Sequence, residues 1–142
     1  MIIEAFLTLA FASQGVEPDC GGNMQEISAC VAQAAVRSED RMRSYYVKAV
    51  ERSREPDFEG DTSGAVTEAH LSYSQLLFQQ HRDAECLAVY SRFGNGSIRN
   101  AEAQACRLHL NNARTHDLWK RWLTFPDGTA PLLPEPQPIT IE

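Results

Sequence analysis

Four cysteines, Cys20, Cys30, Cys86 and Cys106, constrain this chain of 142 residues more than any other feature. An even count in a single-domain chain permits two disulfides, but only in an oxidising compartment. The N-terminus bears on that compartment. Residues 1–12 read MIIEAFLTLAFA, an apolar run ending in Ala10-Phe11-Ala12, which fits the small-x-small pattern of signal cleavage. The basic n-region is missing, since Glu4 is the only early charge. Residues 1–12 are expected to be a signal peptide, with an apolar first helix packed on the domain as the alternative. The expected location is periplasmic or secreted. No apolar run reaches the roughly 18 residues of a membrane span.

The rest of the chain is written in helical periods. Met24, Ile27, Val31, Ala34, Ser38, Met42, Tyr45 and Ala49 alternate spacings of three and four, which predicts one helix face over 24–54. Pro56 closes that segment. Val66, Ala69, Tyr73, Leu76, Leu77, Ala84 and Leu87 predict a second seam over 65–91, with Thr62 or Ser63 as the cap. Residues 93–96, Phe-Gly-Asn-Gly, mark a turn. Ile98, Ala101, Ala105, Leu108, Asn112, Thr115, Trp119 and Trp122 predict a third helix over 97–123, capped by Ser97. No segment alternates with period two, so no sheet is expected. Five prolines from Pro126 onwards forbid a helix in 125–142, leaving an expected solvated, flexible tail.

Short connections predict an all-α, antiparallel, up-down-up three-helix bundle. All four cysteines then fall at one end. Cys30 and Cys106 lie at similar depth, with Cys20 and Cys86 nearer the rim. Depth therefore favours Cys30–Cys106 and Cys20–Cys86, with the other two connectivities open.

Chemistry is scarce. Nine residues between Cys20 and Cys30 match half of a twin-cysteine hairpin, but nineteen separate Cys86 from Cys106. A zinc site would need Cys86, Cys106, His109 and His81, leaving two cysteines over and no CxxC. His81-Arg82-Asp83 spells a kinase tripeptide without the rest of a kinase. His70, His81, His109 and His116 read as surface or interfacial histidines. Asp83 and Glu85 do not share a helix face. The chain is expected to be no enzyme and to carry no cofactor or metal. A net charge of −6 argues against phosphate recognition, so no nucleic-acid partner is expected.

Leu71, Ser74-Gln75, Phe78 and the run Arg82-Asp83-Ala84-Glu85-Cys86 carry a family pattern, with Asp19-Cys20, Gln25 and Cys30 before it and Cys106 and Arg114 after it. On these residues 19–118 resemble the LprI-type lysozyme-inhibitor domain of bacterial secreted and periplasmic proteins. Ser74 replaces the usual alanine, and Phe78 stands where tryptophan is common. Asn111 and Asn112 occupy a region where the family carries threonine. The resemblance implies a helical, disulfide-bonded extracytoplasmic domain over about 19–124. It also implies a protein partner, such as a basic lysozyme. The family-motif residues are Leu71, Gln75, Phe78, Arg82, Asp83 and Arg114, and of these Arg82 and Asp83 have a plainer reading as a partly buried ion pair tying the second helix to a neighbour. A partner-binding expectation attaches to Glu55, Asp57, Phe58, Glu59 and Asp61, an acidic loop with one aromatic anchor. Its plainer reading is a solvated linker. The alternative function is an envelope interaction module without lysozyme inhibition.

Overall fold

The computed structural model describes residues 19–142; the expected signal peptide lies outside them. Three helices form the body: α1 (Met24–Ser53), α2 (Gly64–Arg92) and α3 (Arg99–Leu118). A π-helical turn, Trp119–Leu123, continues α3, and the described residues contain no strand.

Local chemistry starts α1 sharply. The Asn23 side chain accepts from the backbone N–H groups of Gln25 (3.0 Å) and Glu26 (3.1 Å). Glu26 accepts in return from the Asn23 N–H at 2.9 Å, completing a capping box. Gly22, at φ +109°, makes the turn into this cap, and a Cβ there would lie 2.3 Å from the Glu26 carboxylate. α1 then runs unbroken for 30 residues and buries Val31, Ala34, Ser38, Met42, Tyr45 and Ala49, the seam read from the sequence. α3 buries Ala101, Leu108, Asn111, Thr115 and Leu118. It begins at Arg99, with Ile98 at the cap position and no side-chain cap, so Ser97 does not cap it. Ser63 precedes α2 but likewise makes no side-chain cap bond. In the π turn, Leu118 and Leu123 both reach the core although five residues apart. An α-helix would set them roughly 140° apart, and the wider turn brings them towards one face.

α2 overturns its predicted seam. Val66, Ala69, Tyr73, Leu76, Leu77, Ala84 and Leu87 are all exposed. The buried residues of α2 are instead Leu71, Gln75, Arg82 and Cys86. The physical reason is the rotation imposed by the Cys86 bridge and by polar groups on α1 and α3 that bond Gln75 and Arg82.

The main core joins Met42, Tyr45, Ala49, Leu71, Leu118 and Leu123, with Phe78, Trp119, Trp122 and Leu133 packed on it. A second cluster holds Ala34, Ala35 and Leu108 against Ile139 and Ile141.

The cysteines pair locally. Cys20 bonds Cys30, and Cys86 bonds Cys106. This corrects the expected Cys30–Cys106 and Cys20–Cys86 pairing. Depth along a bundle ignores which way each side chain points around its helix. The Gly21-Gly22 turn folds Cys20 back onto α1. Cys86 and Cys106 lie six residues before the end of α2 and seven after the start of α3, so the helical hairpin sets them opposite each other. The loops closed, 10 and 20 residues in sequence separation, correspond to about 3 kcal/mol each in the chain-entropy model.

The C-terminal segment is also corrected. Residues 132–142 lie along α1 and α3 as a strap. The Leu133 carbonyl accepts from the Trp119 indole (3.0 Å), and that of Pro134 from the Tyr45 hydroxyl (2.7 Å). Arg41 donates to the Gln137 carbonyl. Asn112 donates to the Ile139 carbonyl (2.7 Å) and accepts from its N–H (3.1 Å). The Cys20 N–H bonds the Glu142 carbonyl at 2.9 Å. Proline removes donors but keeps carbonyls, and these bonds use mostly carbonyls.

Candidate functional site

The family-pattern residues and the acidic loop occupy two different environments. The first set lies between the helices. Arg82, 4% exposed, donates through Nη1 to Asn111 Oδ1 (3.0 Å) and through Nε to Asp83 Oδ1 (3.1 Å). Glu39 of α1 lies 3.5 Å from the same guanidinium. Asn111 in turn donates to Ser38 Oγ at 3.0 Å, and Ser38 donates to the Ala35 carbonyl at 2.7 Å. One polar chain thus crosses all three helices. Asp83 also accepts from Arg107 of α3 at 2.7 Å.

Arg114 forms a second tie. It donates to Gln75 Oε1 (3.0 Å), Ser74 Oγ (3.2 Å) and Asp117 (3.3 Å). Burial lowers its basicity, opposed by Asp117. Gln75 sends its amide towards the Met42 sulfur, 3.8 Å away. The Phe78 ring lies beneath both guanidinium groups, at 6.0 Å from Arg82 and 5.6 Å from Arg114. Gln75, Arg82, Asp83 and Arg114 therefore crosslink the helices, Phe78 packs beneath the two guanidinium groups and Leu71 belongs to the main core; all six but Asp83 are at least half-buried.

The sequence reading missed Asn111 and Arg41. The available signal was polar side chains on or beside otherwise apolar seams. Ser38 and Asn112 are two such residues, and both prove to be hydrogen-bond partners of those the reading missed.

The acidic loop follows α1 over residues 55–61. A turn in which the Asp61 N–H bonds the Phe58 carbonyl at 3.1 Å, with Gly60 at φ +82°, carries Phe58 outward. Phe58 is 78% exposed, the most exposed large apolar side chain described. The carboxylates are not equivalent. Asp57 and Glu55 pair with Arg52. Asp61 accepts from the Ser63 N–H (2.8 Å) and hydroxyl (2.9 Å), which hold its carboxyl below the usual range. Glu59 makes no side-chain hydrogen bond or ion pair among the described residues. The loop borders a cleft of about 530 Å³ whose other walls include Arg121, Trp122 and Phe125.

All four cysteines are bridged, so none serves as a thiolate ligand. Among the described residues no group of three or more His, Cys, Asp or Glu is placed to hold an ion. All four histidines are exposed. No described helix is long and apolar enough to cross a membrane.

Neither curated proteins nor solved structures gave a match to the chain. A family model described as "Lysozyme inhibitor LprI" matches residues 19–118. That match spans well over half of the sequence and takes in both disulfides and every residue of the polar crosslinks described above. The chain belongs to the LprI lysozyme-inhibitor family.

Proposed function

We propose that this protein is an extracytoplasmic, non-catalytic binding protein that inhibits a basic cell-wall hydrolase of the lysozyme class. In this reading it inserts the 55–61 loop into the enzyme's cleft, and residues 1–12 direct export. The observation that carries the loop assignment is Phe58, held 78% exposed by a defined turn amid four carboxylates. An aromatic side chain left in water on one domain gains most by desolvation on another. The net charge of −6 favours encounter with a basic enzyme. Two disulfides fit an oxidising compartment. The bundle is read as up-down-up with antiparallel neighbours. In support, 46–72 and 42–75 contacts join α1 to α2, with 54–68 just past the end of α1, and 86–106, 82–111 and 75–114 contacts join α2 to α3.

A turbidity assay of c-type lysozyme on bacterial cell walls tests this. Inhibition at micromolar protein is expected. Phe58→Ala and Glu59→Ala leave the internal bonds intact, so together they should weaken inhibition by about 2 kcal/mol, roughly 30-fold in Kd. Inhibition unchanged by both would move the site elsewhere, and no inhibition at tens of micromolar would remove lysozyme as the target.

A second reading, an envelope interaction module without lysozyme inhibition, draws on one observation. The family-pattern residues are mostly consumed as internal crosslinks, so they define the fold rather than a surface.

A further inference from the structure

α2 is built inside out. Its buried face carries Gln75 and Arg82, while Val66, Tyr73, Leu76, Leu77 and Leu87 on the opposite face are between 46% and 64% exposed. Ala69, Gln80 and Ala84 lie exposed in the same stripe. At 3.6 residues per turn, these eight positions fall within an arc of about 100° and extend for about 32 Å. The charged residues between Val66 and Leu87, namely Glu68, Arg82, Asp83 and Glu85, all fall outside that arc. Such a stripe is what a helix normally turns towards a neighbour.

The order of residues identifies the neighbour. The positions of the stripe are mirror-symmetric about the midpoint between Leu76 and Leu77, with Tyr73 opposite Gln80 as the one apolar–polar pair. Laid antiparallel against a second copy, Val66 meets Leu87, Ala69 meets Ala84, Tyr73 meets Gln80, and Leu76 meets Leu77. Large side chains meet large ones, small meet small, and the Tyr73 hydroxyl faces an amide able to bond it. The stripe also repeats every 11 residues, as Val66/Leu77, Ala69/Gln80, Tyr73/Ala84 and Leu76/Leu87. That period, about 3.67 residues per turn, shifts the face by only about 20° per repeat and suits a slight right-handed winding of two such helices.

From this self-complementarity we infer that the exposed face of α2 is a dimer interface, taken by the same face of a second copy across a two-fold axis between Leu76 and Leu77. The contact is isologous and closes at two copies. Its size sets its strength. A face about 32 Å long and one helix wide, about 10 Å, is roughly 300 Å², against about 800 Å² per partner in a standard interface. Val47, 51% exposed, borders the same hollow as Leu76 and enlarges the contact from α1. A contact this far below the standard size makes a weak, reversible dimer. The two 55–61 loops, each preceding α2, then lie at opposite ends of the pair, both open. The dimer and the loop reading are independent of each other.

Sedimentation velocity on the full chain tests the dimer. Monomer mass is expected at about 2 µM and dimer mass at about 200 µM. Leu76→Glu and Leu87→Glu replace exposed side chains, so the fold should persist by circular dichroism while the dimer dissociation constant rises at least 30-fold. Val36→Glu, an exposed apolar position on α1, should change nothing. A wild-type chain that stays monomeric at about 200 µM, or a dimer indifferent to Leu76→Glu, overturns the inference.

Discussion

Arg82 and Asn111 offer the sharpest test of how the helices are held. Arg82→Met keeps the aliphatic stem but removes the guanidinium. Its acidic neighbours Glu39 and Asp83 are 36% and 52% exposed, so water replaces their partner at little cost. Asn111 is 1% exposed, and its Oδ1 loses the 3.0 Å bond with no water to take over. An orphaned buried acceptor costs about 1–3 kcal/mol. The expected loss is about 2 kcal/mol, or ~8 °C in Tm for a body of this size. Asn111→Leu strips a bond from a buried charged donor, which costs about 1.5–3 kcal/mol. Ser38 keeps its 2.7 Å bond to the Ala35 carbonyl and is not orphaned. In the double variant neither partner remains to be left unpaired. Its loss should fall short of the summed single losses by about 2 kcal/mol. Guanidinium unfolding of the four proteins, disulfides intact, measures this cycle. Single losses under about 0.5 kcal/mol, or additivity within that margin, would refute the picture of a polar crosslink through the core.

Replacing Cys86 and Cys106 together by serine should cost about 3 kcal/mol, and Cys20 with Cys30 about 0.6 kcal/mol less by the shorter loop; equal stability of the bridged and serine proteins in denaturant would contradict this. Asn112→Ala removes both bonds to the Ile139 backbone, so exchange of the Ile139 amide hydrogen should accelerate at least tenfold by NMR or mass spectrometry. Unchanged exchange would mean that the strap is held by its other contacts and not by Asn112. The Asp61 carboxyl is depressed by its bonds to Ser63, and that of Glu68 by its bond to Arg54. A depressed carboxylate contributes its stability above its ordinary pKa and loses it as pH falls through the folded value. Acid titration of unfolding should therefore show a decline below about pH 4 that flattens in Asp61→Asn with Glu68→Gln; an unaltered profile would remove these two groups from the account.

α1 was legible because one stripe of small and apolar residues faces the core and charges fill the rest. α3 was legible for the same reason, apart from its cap and Asn111. α2 was not, because periodicity reveals which residues share a face but not which face turns inward. There the decision rests on Cys86, Gln75 and Arg82, whose partners lie on other helices. The disulfide pairing failed for a related reason: depth along the bundle was weighed and rotation about each helix was not. The prolines of the C-terminal segment correctly excluded a helix. Their carbonyls, and those of their neighbours, were the overlooked acceptors for Tyr45, Asn112 and Trp119. At the candidate site, the acidic loop was visible as a charge pattern around one aromatic residue. The different duties of its carboxylates were not, because Arg52 and Ser63 select among them only once the turn is formed.

The two tryptophans of the chain sit at the junction of these parts. Trp119 gives its indole proton to the strap at Leu133, and Trp122 lines the cleft beside the acidic loop. The protein consequently carries a built-in optical reporter at each place where something is expected to move or dock. Release of the strap exposes one indole to solvent and shifts its emission to the red. Docking of the 55–61 loop on a partner shields the other and shifts it to the blue. With Trp119→Phe and Trp122→Phe, each signal can be followed alone, without a dye.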